Sequence, residues 1–598
     1  MGNINVADIA SRKSILIPDM QGYASTPCHS PLSNGADYNS ITYSEDGEQP
    51  ISNVIACLAL RRDLSHPENP PFGAWWTYTV EETLLWPVLD YQGPINQTLD
   101  ALFDSTDEEM SDDEDFPPAR RPSSQRKKSR LKNSGTNSTF GLDDGDLVPQ
   151  LINSFLRNVH VRSPILDPPR LRNSAKNLVE NGLDWDGETC QVLLACALGA
   201  ISSPWDTSVM ASFDDKPPSS PDRSPLAQKY FQAATKRLGA LWANYSLISA
   251  QCFFLTGLFH MFMQEPVAGW RAFNSASITC RAYASKRIAQ MARRSQEGKS
   301  QINRSMEQRL FWSSFKAERE IGCEFGLDTA GINRIVDWPT LPTPPSGHTP
   351  NMQSTPNFGT DGSESTNENN IPSSHLYEEQ SWYFYLLEIT LCKLEMRIDN
   401  FFQDKRREAY RQIGSPPEVF FTSLVVALQE FNYQLTSYYE SLPPVMQIPT
   451  VNIHEDNNKE ETNQKRDESN KNKQRNTHGN NNINQIYHTP MTPCSDELRE
   501  YLRLRILSVR HDICLPALYL LLHNDVSGWQ PSLLAVLVQL TNTCLKVDMN
   551  FLHTIVTTHR HHAAWICLRK GVRAALILIA ARRLAEQGIS RIGRTVRA

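Results

Sequence analysis

The chain has 598 residues, enough for several ordinary domains or for one long helical body. Its 59 Lys and Arg residues stand against 66 Asp and Glu residues, and the formal charge of −7 excludes a surface that attracts nucleic acid along its whole length. The 12 cysteines include Cys196, Cys252, Cys392 and Cys567, which lie in apolar helical runs and predict small buried side chains in a reducing compartment rather than disulfides.

Two segments precede the helical part of the chain. Residues 1–73 are mostly rich in Ser, Asn, Gly and Pro and lack a clear helix or strand period, which predicts a disordered arm. Residues 74–103 contain Trp75, Trp76 and Trp86 among other apolar side chains, so we expect a short segment that docks on the main body.

The N-terminus lacks the apolar core of a signal peptide, and apolar runs such as residues 192–201 fall short of the roughly 18 residues that a membrane helix needs. No membrane partner is therefore expected.

Residues 104–146 hold a block of acids followed by a block of bases. Because like charges at this density repel each other, the segment is predicted to be an extended, exposed linker. Its candidate nuclear-import or phosphate-contacting residues are Arg120, Arg121, Arg126, Lys127, Lys128, Arg130 and Lys132. A merely solvated linker is the open alternative, and such cations could attract phosphate without reading a base sequence.

The acidic block contains a candidate phosphorylation site. Ser111 is followed directly by Asp112, Asp113, Glu114 and Asp115, a context that suits an acid-directed kinase. The same acids loosely resemble the magnesium-binding cluster of terpenoid synthases. A charged, proline-flanked stretch cannot bury them in an apolar cavity, however, so the exposed reading is favoured.

From residue 147 to residue 590 the pattern is helical. The nearly all-apolar residues 192–201 predict a buried helix. Three apolar stripes at helical spacing are Leu387, Leu391, Leu394, Ile398 and Phe401; Leu498, Leu502, Ile506, Val509 and Ile513; and Trp565, Leu568, Val572, Leu576 and Ile579. Polar insertions at 341–375 and 451–490 predict long loops. Since no repeat of fixed period emerges, we expect an all-α fold, an irregular multi-helix bundle.

The motifs of common enzymes are missing from the sequence. It contains no phosphate-binding glycine loop, nucleophile elbow, paired-histidine zinc helix or kinase set, so we predict no catalytic residue, no bound cofactor and no enzyme. His559, His561 and His562 could suggest a metal site. No cysteine or carboxylate pair accompanies them at ligand spacing, so a helix-capping or surface cluster is favoured and no metal site is predicted.

Aromatic side chains offer a further candidate site. Trp270, Trp312, Phe315 and Trp382 could line a ligand pocket. Aromatic residues at helical spacing more often belong to the core, which is the favoured reading.

Several stretches carry a resemblance to a known family. They are residues 86–103, 161–169 (VRSPILDPP), 182–201 (GLDWDGETCQVLLACALGAI), 307–332 with the following Trp338-Pro339 and Pro342 to Pro345, and 383–398, 501–519 and 561–584. In order along the chain, they resemble the middle regulatory region of fungal binuclear zinc-cluster transcription factors. The resemblance implies a nuclear regulator of RNA polymerase II transcription, whose helical domain responds to a small-molecule effector or to a partner.

The sequence departs from that family at the DNA-binding element. Family members bind two zinc ions through six cysteines that include two close CxxC pairs, whereas Cys28 is followed by Cys57 here and no CxxC pair occurs. DNA contact is therefore expected only through a missing cluster or a partner factor. Either the chain works without the cluster, together with the transcription machinery or another regulator, or the cluster was lost from the gene model. A helical interaction scaffold without DNA binding is the main alternative, and an all-helical enzyme is a weaker one.

Overall fold

The computed structural model describes residues 79–93, 147–205, 223–293, 301–325, 341–342, 373–411, 418–448, 494, 496–524, 529–555 and 559–586. Within these ranges the chain forms helices and no strand, which confirms the prediction of an all-α, irregular bundle. The predicted arm (1–73), the linker (104–146) and the loop at 451–490 lie outside the described residues. Of the predicted loop at 341–375, only residues 341–342 and 373–375 are described, and the latter already belong to a helix.

The α-helices, in chain order, are α1 (Val80–Leu84), α2 (Leu147–Asn158), α3 (Pro168–Asn181), α4 (Gly187–Ile201), α5 (Ser224–Leu241), α6 (Leu247–Phe262), α7 (Pro266–Arg293), α8 (Gln301–Phe325), α9 (Ser373–Arg411), α10 (Glu418–Glu440), α11 (Glu497–His523), α12 (Pro531–Thr554) and α13 (Ala564–Glu586). Short 3-10 helices occur at Pro87–Leu89, His160–Arg162 and Pro444–Met446.

Side-chain caps fix the start of several helices. Asp167, Asp186, Ser246 and Asp496 each accept a hydrogen bond from the backbone N–H three residues ahead, at the first turns of α3, α4, α6 and α11. Such a cap satisfies one of the backbone donors that the first turn leaves without a helical partner. Local sequence therefore sets where these helices begin.

Two large hydrophobic clusters and one small one, formed by Leu504, Leu507, Val547 and Phe551, make up the core of the described residues. The first takes its side chains mainly from α2 to α8, and the second mainly from α9 to α13. Helix α9 lies between the two large clusters and contributes to both, because Tyr385 and Ile389 belong to the first cluster while Leu391 and Ile398 belong to the second. A helix that is covered on two sides has little surface left for water, and its polar side chains must find partners inside the protein.

The predicted buried helices are found. Every residue from 192 to 201 is buried in α4. The stripe in α9 is buried or half-buried, and all five residues of the α11 stripe are buried. Cys196, Cys252 and Cys392 are buried, Cys567 is half-buried, and all four are free thiols, as predicted. Burial raises the pKa of Cys392 to about 12, so this thiol stays protonated.

Three of the five residues of the stripe predicted in α13 lie on the exposed side of the helix, whereas Trp565 and Leu576 are half-buried against the two large clusters. Leu568, Val572 and Ile579 are 44%, 50% and 48% exposed. The buried face instead runs through Ile566, Arg573, Ile577, Ala580 and Leu584. The apolar pattern misled because the inner face includes a buried arginine, and the periodicity rule assigns charged residues to water.

The described part of the apolar N-terminal segment packs on α11 and α13. Trp86 is 1% exposed, and its ring lies 5.2 Å from the ring of Tyr519 in an edge-on arrangement. Arg569 donates to both carboxylate oxygens of Glu81, at 3.0 and 2.5 Å. Residues 74–78 and 94–103 of the predicted segment are outside the described residues.

Among the described residues, α11 is the one helix long and apolar enough to cross a membrane by length and composition. Its most apolar window is 89% buried inside the protein. That burial is typical of the core helix of a folded domain.

Candidate functional site

A charged seam lies where the two hydrophobic clusters meet. We use this name for the polar side chains of α8, α9, α11 and α13 that line two neighbouring cavities of about 50 and 40 Å³. Both cavities are lined by Glu320, Arg505, Ile566 and Lys570. Each cavity has room for a few water molecules. A larger ligand would have to push the helices of the seam apart.

Arg505 is the centre of the seam. Its guanidinium reaches Glu395 at 2.8 Å, Glu320 at 3.4 Å and Glu388 at 3.6 Å. Burial alone would disfavour its charge, but the three carboxylates raise the pKa of Arg505 well above its ordinary value. The guanidinium of α11 thus ties α8 and α9 to the C-terminal helices.

Two lysines complete the seam. The Nζ of Lys316 lies 3.2 Å from Glu388, and both side chains are buried. The other Glu388 oxygen, Oε1, makes no hydrogen bond within the described structure and faces the Nε of Arg505 across 3.6 Å, within ion-pair distance. Lys570 of α13 donates to the hydroxyl of Ser508 at 2.6 Å and lines both cavities. The seam therefore contains cations from three helices (α8, α11 and α13) and acids from three (α8, α9 and α11).

A second cluster of charges borders the larger cavity. Arg162 forms an ion pair with Glu497, and its guanidinium stacks over the ring of Tyr501 at 4.5 Å. His559 also bonds to Glu497, at 2.9 Å. Burial opposes the charge of Glu497, yet the nearby Arg162 and His559 hold its pKa below the ordinary value. The hydroxyl of Tyr501 is buried, and the structure gives it no hydrogen-bond partner among the described residues.

The histidine trio is not on the surface, so that part of the prediction is wrong. His559 and His561 are buried and His562 is half-buried. Each ring uses a nitrogen for a protein partner: His559 bonds to Glu497, His561 accepts from the backbone N–H of Ala563 beside the start of α13, and His562 meets Arg162 at 3.3 Å. Burial, followed by the nearby Arg162, lowers the pKa of His561 and His562 well below the ordinary value, so both rings are neutral at physiological pH.

The aromatic candidates belong to the core. Trp312 and Phe315 are each 6% exposed, and their rings pack edge to face at 5.8 Å. Trp270 and Trp382 are partly buried against the first hydrophobic cluster. None of the four lines either cavity of the seam.

The seam was not predicted from the sequence. Glu388 and Glu395 lie off the apolar stripe of α9, and Arg505 and Lys570 belong to no recognisable motif. The one signal is in α9, where acids at positions 388, 395 and 399 repeat at helical spacing beside the apolar stripe. That pattern fits a solvent-exposed face equally well, so sequence alone does not distinguish a buried row of acids from an exposed one. The predicted import residues, from Arg120 to Lys132, and Ser111 with the acids after it lie outside the described residues.

The cysteines do not fit the zinc cluster of the resembled family. That cluster needs two close CxxC pairs, and the sequence has none. Of the ten described cysteines, eight are buried and two are half-buried, all as free thiols spread through the body.

The comparisons with known proteins agree with the resemblance seen in the sequence. Residues 152–395 match the family model described as "Fungal specific transcription factor domain". No curated protein and no solved structure matches the chain significantly. The matched region runs from α2 into α9 and contains Lys316, Glu320, Glu388 and Glu395, whereas Arg505 and Lys570 lie beyond it. Over residues 152–395, less than half of the chain, the sequence is therefore similar to the fungal specific transcription factor domain, which agrees with the resemblance predicted from the sequence.

Proposed function

We propose that the chain is a nuclear regulator of RNA polymerase II transcription. The observation that carries the proposal is the family match over residues 152–395, which supports a regulatory role of the fungal transcription-factor type. The all-helical architecture agrees with that role. We expect no enzymatic activity, since the family is one of regulators.

DNA is reached indirectly in this proposal. The sequence has no CxxC pair and a formal charge of −7, so neither a zinc cluster within these residues nor a broad cationic surface can hold the duplex. A partner factor, or a cluster that these 598 residues do not include, supplies the sequence-specific contact. The cations from Arg120 to Lys132 act in nuclear import or touch phosphate without base specificity.

The charged seam is the element through which a signal acts. Its ion pairs join Glu320, Glu388 and Glu395 of the matched domain to Arg505 of the C-terminal helices. A small-molecule effector or a partner that favours a second arrangement of these helices shifts the population toward it, by no more than its difference in affinity for the two states. Since the cavities hold only a few waters, a small-molecule effector must open the seam to bind.

A tethered reporter tests the proposal. The full chain is fused to an unrelated DNA-binding domain, and a reporter gene with the matching site is measured in a fungal cell against that DNA-binding domain alone. We expect reporter transcription to change, and Arg505→Gln to alter the size of the change. Arg582→Gln, on the exposed surface of α13, is the matched control and should behave as the original chain. Unchanged reporter transcription with a stable, nuclear fusion would contradict the proposal.

The import assignment needs its own experiment. Replacing the seven cations between residues 120 and 132 with Ala should move a fluorescent fusion from the nucleus to the cytoplasm. Replacing the same number of surface cations on the helical body is the control. An unmoved fusion would refute the role of this segment in import.

A scaffold without a transcriptional role is the second candidate. The observation in its favour is the exposed apolar face of α13, formed by Leu568, Val572 and Ile579, because such a face can bind another protein. A fusion that stays cytoplasmic with or without the cations of residues 120–132, and that leaves the tethered reporter unchanged, would favour the scaffold.

A further inference from the structure

Three potential metal ligands meet deep inside the second hydrophobic cluster. His511 lies on α11, and Cys544 and Asp548 lie one turn apart on α12. The Nδ1 of His511 is 2.5 Å from Asp548 and 4.0 Å from the Sγ of Cys544, and the Sγ is 3.9 Å from the second carboxylate oxygen. The three residues are 4%, 0% and 1% exposed. Among the described residues, this is the one group of three or more such ligand atoms within 4.8 Å of one another.

Polar groups buried this deeply need partners inside the protein. Asp548 contacts His511 and Cys544, and it also interacts electrostatically with Arg573, whose guanidinium pairs with Asp512 at 2.7 Å. Burial raises the pKa of Cys544 well above its ordinary value, so without a metal this thiol stays protonated.

We propose that His511, Cys544 and Asp548 bind a zinc ion between α11 and α12. Zinc takes imidazole nitrogen, thiolate sulfur and carboxylate oxygen as ligands, and a tetrahedral site places them about 3.5 Å apart. The two sulfur distances need to shorten by a few tenths of an ångström, and the His511–Asp548 contact lengthens as the ion enters between them. The imidazole of His511 then binds through Nδ1 and carries its proton on Nε2, and binding releases the thiol proton of Cys544. The two positive charges of the ion match one thiolate and one carboxylate.

A fourth ligand and the outer contacts set the strength of the site. Thr541 lies on the same face of α12 as Cys544 and Asp548, and its buried hydroxyl has no hydrogen-bond partner among the described residues. It is suited to hold a water in the fourth position. The Nε2 of His511 is also buried without a partner there. Histidine ligands usually donate from that second nitrogen, and losing such a contact weakens metal binding about 10 to 100-fold. The site is therefore weaker than a four-cysteine zinc site.

Metal analysis of the purified full chain tests this inference. The chain is stripped with a chelator, dialysed against Zn²⁺, and its metal content is measured by mass spectrometry. We expect one zinc per chain, and less than a tenth of that in Cys544→Ser and in Asp548→Asn, which change few atoms. Cys196→Ser, at a cysteine equally buried in the first hydrophobic cluster, should bind as the original chain does. A stripped chain that takes up no zinc, or ligand variants that bind as much as the original, would overturn the proposal.

X-ray absorption at the zinc edge gives a readout that needs no variant. The proposal predicts one sulfur neighbour at about 2.3 Å and otherwise nitrogen and oxygen. A shell without sulfur would place the ion elsewhere on the protein and refute the site. Circular dichroism of each variant shows whether it has kept its helices. If Cys544→Ser does not fold, the absorption spectrum of the unmodified chain decides.

Discussion

Replacing Arg505 with Gln removes the cation that pairs with Glu320 and Glu395. The side chains of all three are about 15% exposed or less, so water cannot take over the lost ion pairs in full. Glu388 keeps its contact with Lys316. Breaking a buried pair by removing one partner costs about 3 to 5 kcal/mol, because the remaining charge has lost its compensation. We expect Arg505→Gln to lower the free energy of unfolding by that amount at pH 7.

The loss should depend on pH in a defined direction. A buried carboxylate that has lost its cation can avoid carrying an unpaired charge by taking up a proton. For a Glu with an ordinary pKa of about 4.3, this protonation costs about 3.7 kcal/mol at pH 7 and about 1 kcal/mol at pH 5. In the variant, the folded state then binds more protons than the unfolded state between these pH values, so its stability rises as the pH falls. The difference between Arg505→Gln and the original chain should therefore shrink from pH 7 to pH 5.

Urea unfolding followed by circular dichroism at both pH values measures this difference. Arg582→Gln is the matched control, because Arg582 pairs with Glu586 on the exposed surface, and its loss should cost less than about 0.5 kcal/mol. An Arg505→Gln midpoint that equals the control, or a difference that does not change with pH, would show that Arg505 does not compensate the acids of the seam.

Three further predictions concern single positions. Burial raises the pKa of Glu318 from 4.5 to about 7, so the folded chain loses stability as the pH rises through this range. In urea unfolding, Glu318→Gln should remove this pH dependence of the free energy of unfolding and stabilise the chain at pH 8 by up to about 3 kcal/mol. Trp86→Ala should cost about 3 to 5 kcal/mol and speed proteolysis next to α1, whereas Trp185→Ala, at a side chain 69% exposed, should do neither. In α4 a methyl group on Gly199 would overlap the carbonyl oxygen of Leu151, so Gly199→Ala should lower the free energy of unfolding by about 1 to 3 kcal/mol and lower the thermal midpoint. In α5 nothing lies within 4 Å of the position that a methyl group on Gly239 would take, so Gly239→Ala should raise the free energy of unfolding by about 0.5 kcal/mol and raise the midpoint.

The sequence predicted those parts of the fold in which burial and apolar character coincide. Helix α11 is an example, since Leu498, Leu502 and Ile513 repeat at helical spacing and all are buried. The same rule failed in α13, where the true inner face contains Arg573, which sequence reasoning places in water. A charged residue can occupy an inner face only when another residue supplies its partner. Asp512 does so here, 61 positions earlier, and no local pattern reveals that pairing.

The candidate sites were missed for the same physical reason. Arg505 meets Glu395 across 110 positions, and His511 meets Asp548 across 37. Metal and enzyme motifs recognised from sequence have their residues close together on one element, whereas these groups come from separate helices. The family resemblance was visible because it rests on the order of helices along the chain, which the sequence preserves.

The central claim is that this chain regulates RNA polymerase II transcription. Its most direct test is to fuse the chain to a degradation tag in the cell that naturally contains it and to sequence nascent transcripts shortly after depletion. We expect a defined set of genes to change at once, and we expect re-expressed Arg582→Gln to restore the set while Arg505→Gln does not restore it fully. Nascent transcription that is unaltered after complete loss of the chain would contradict it.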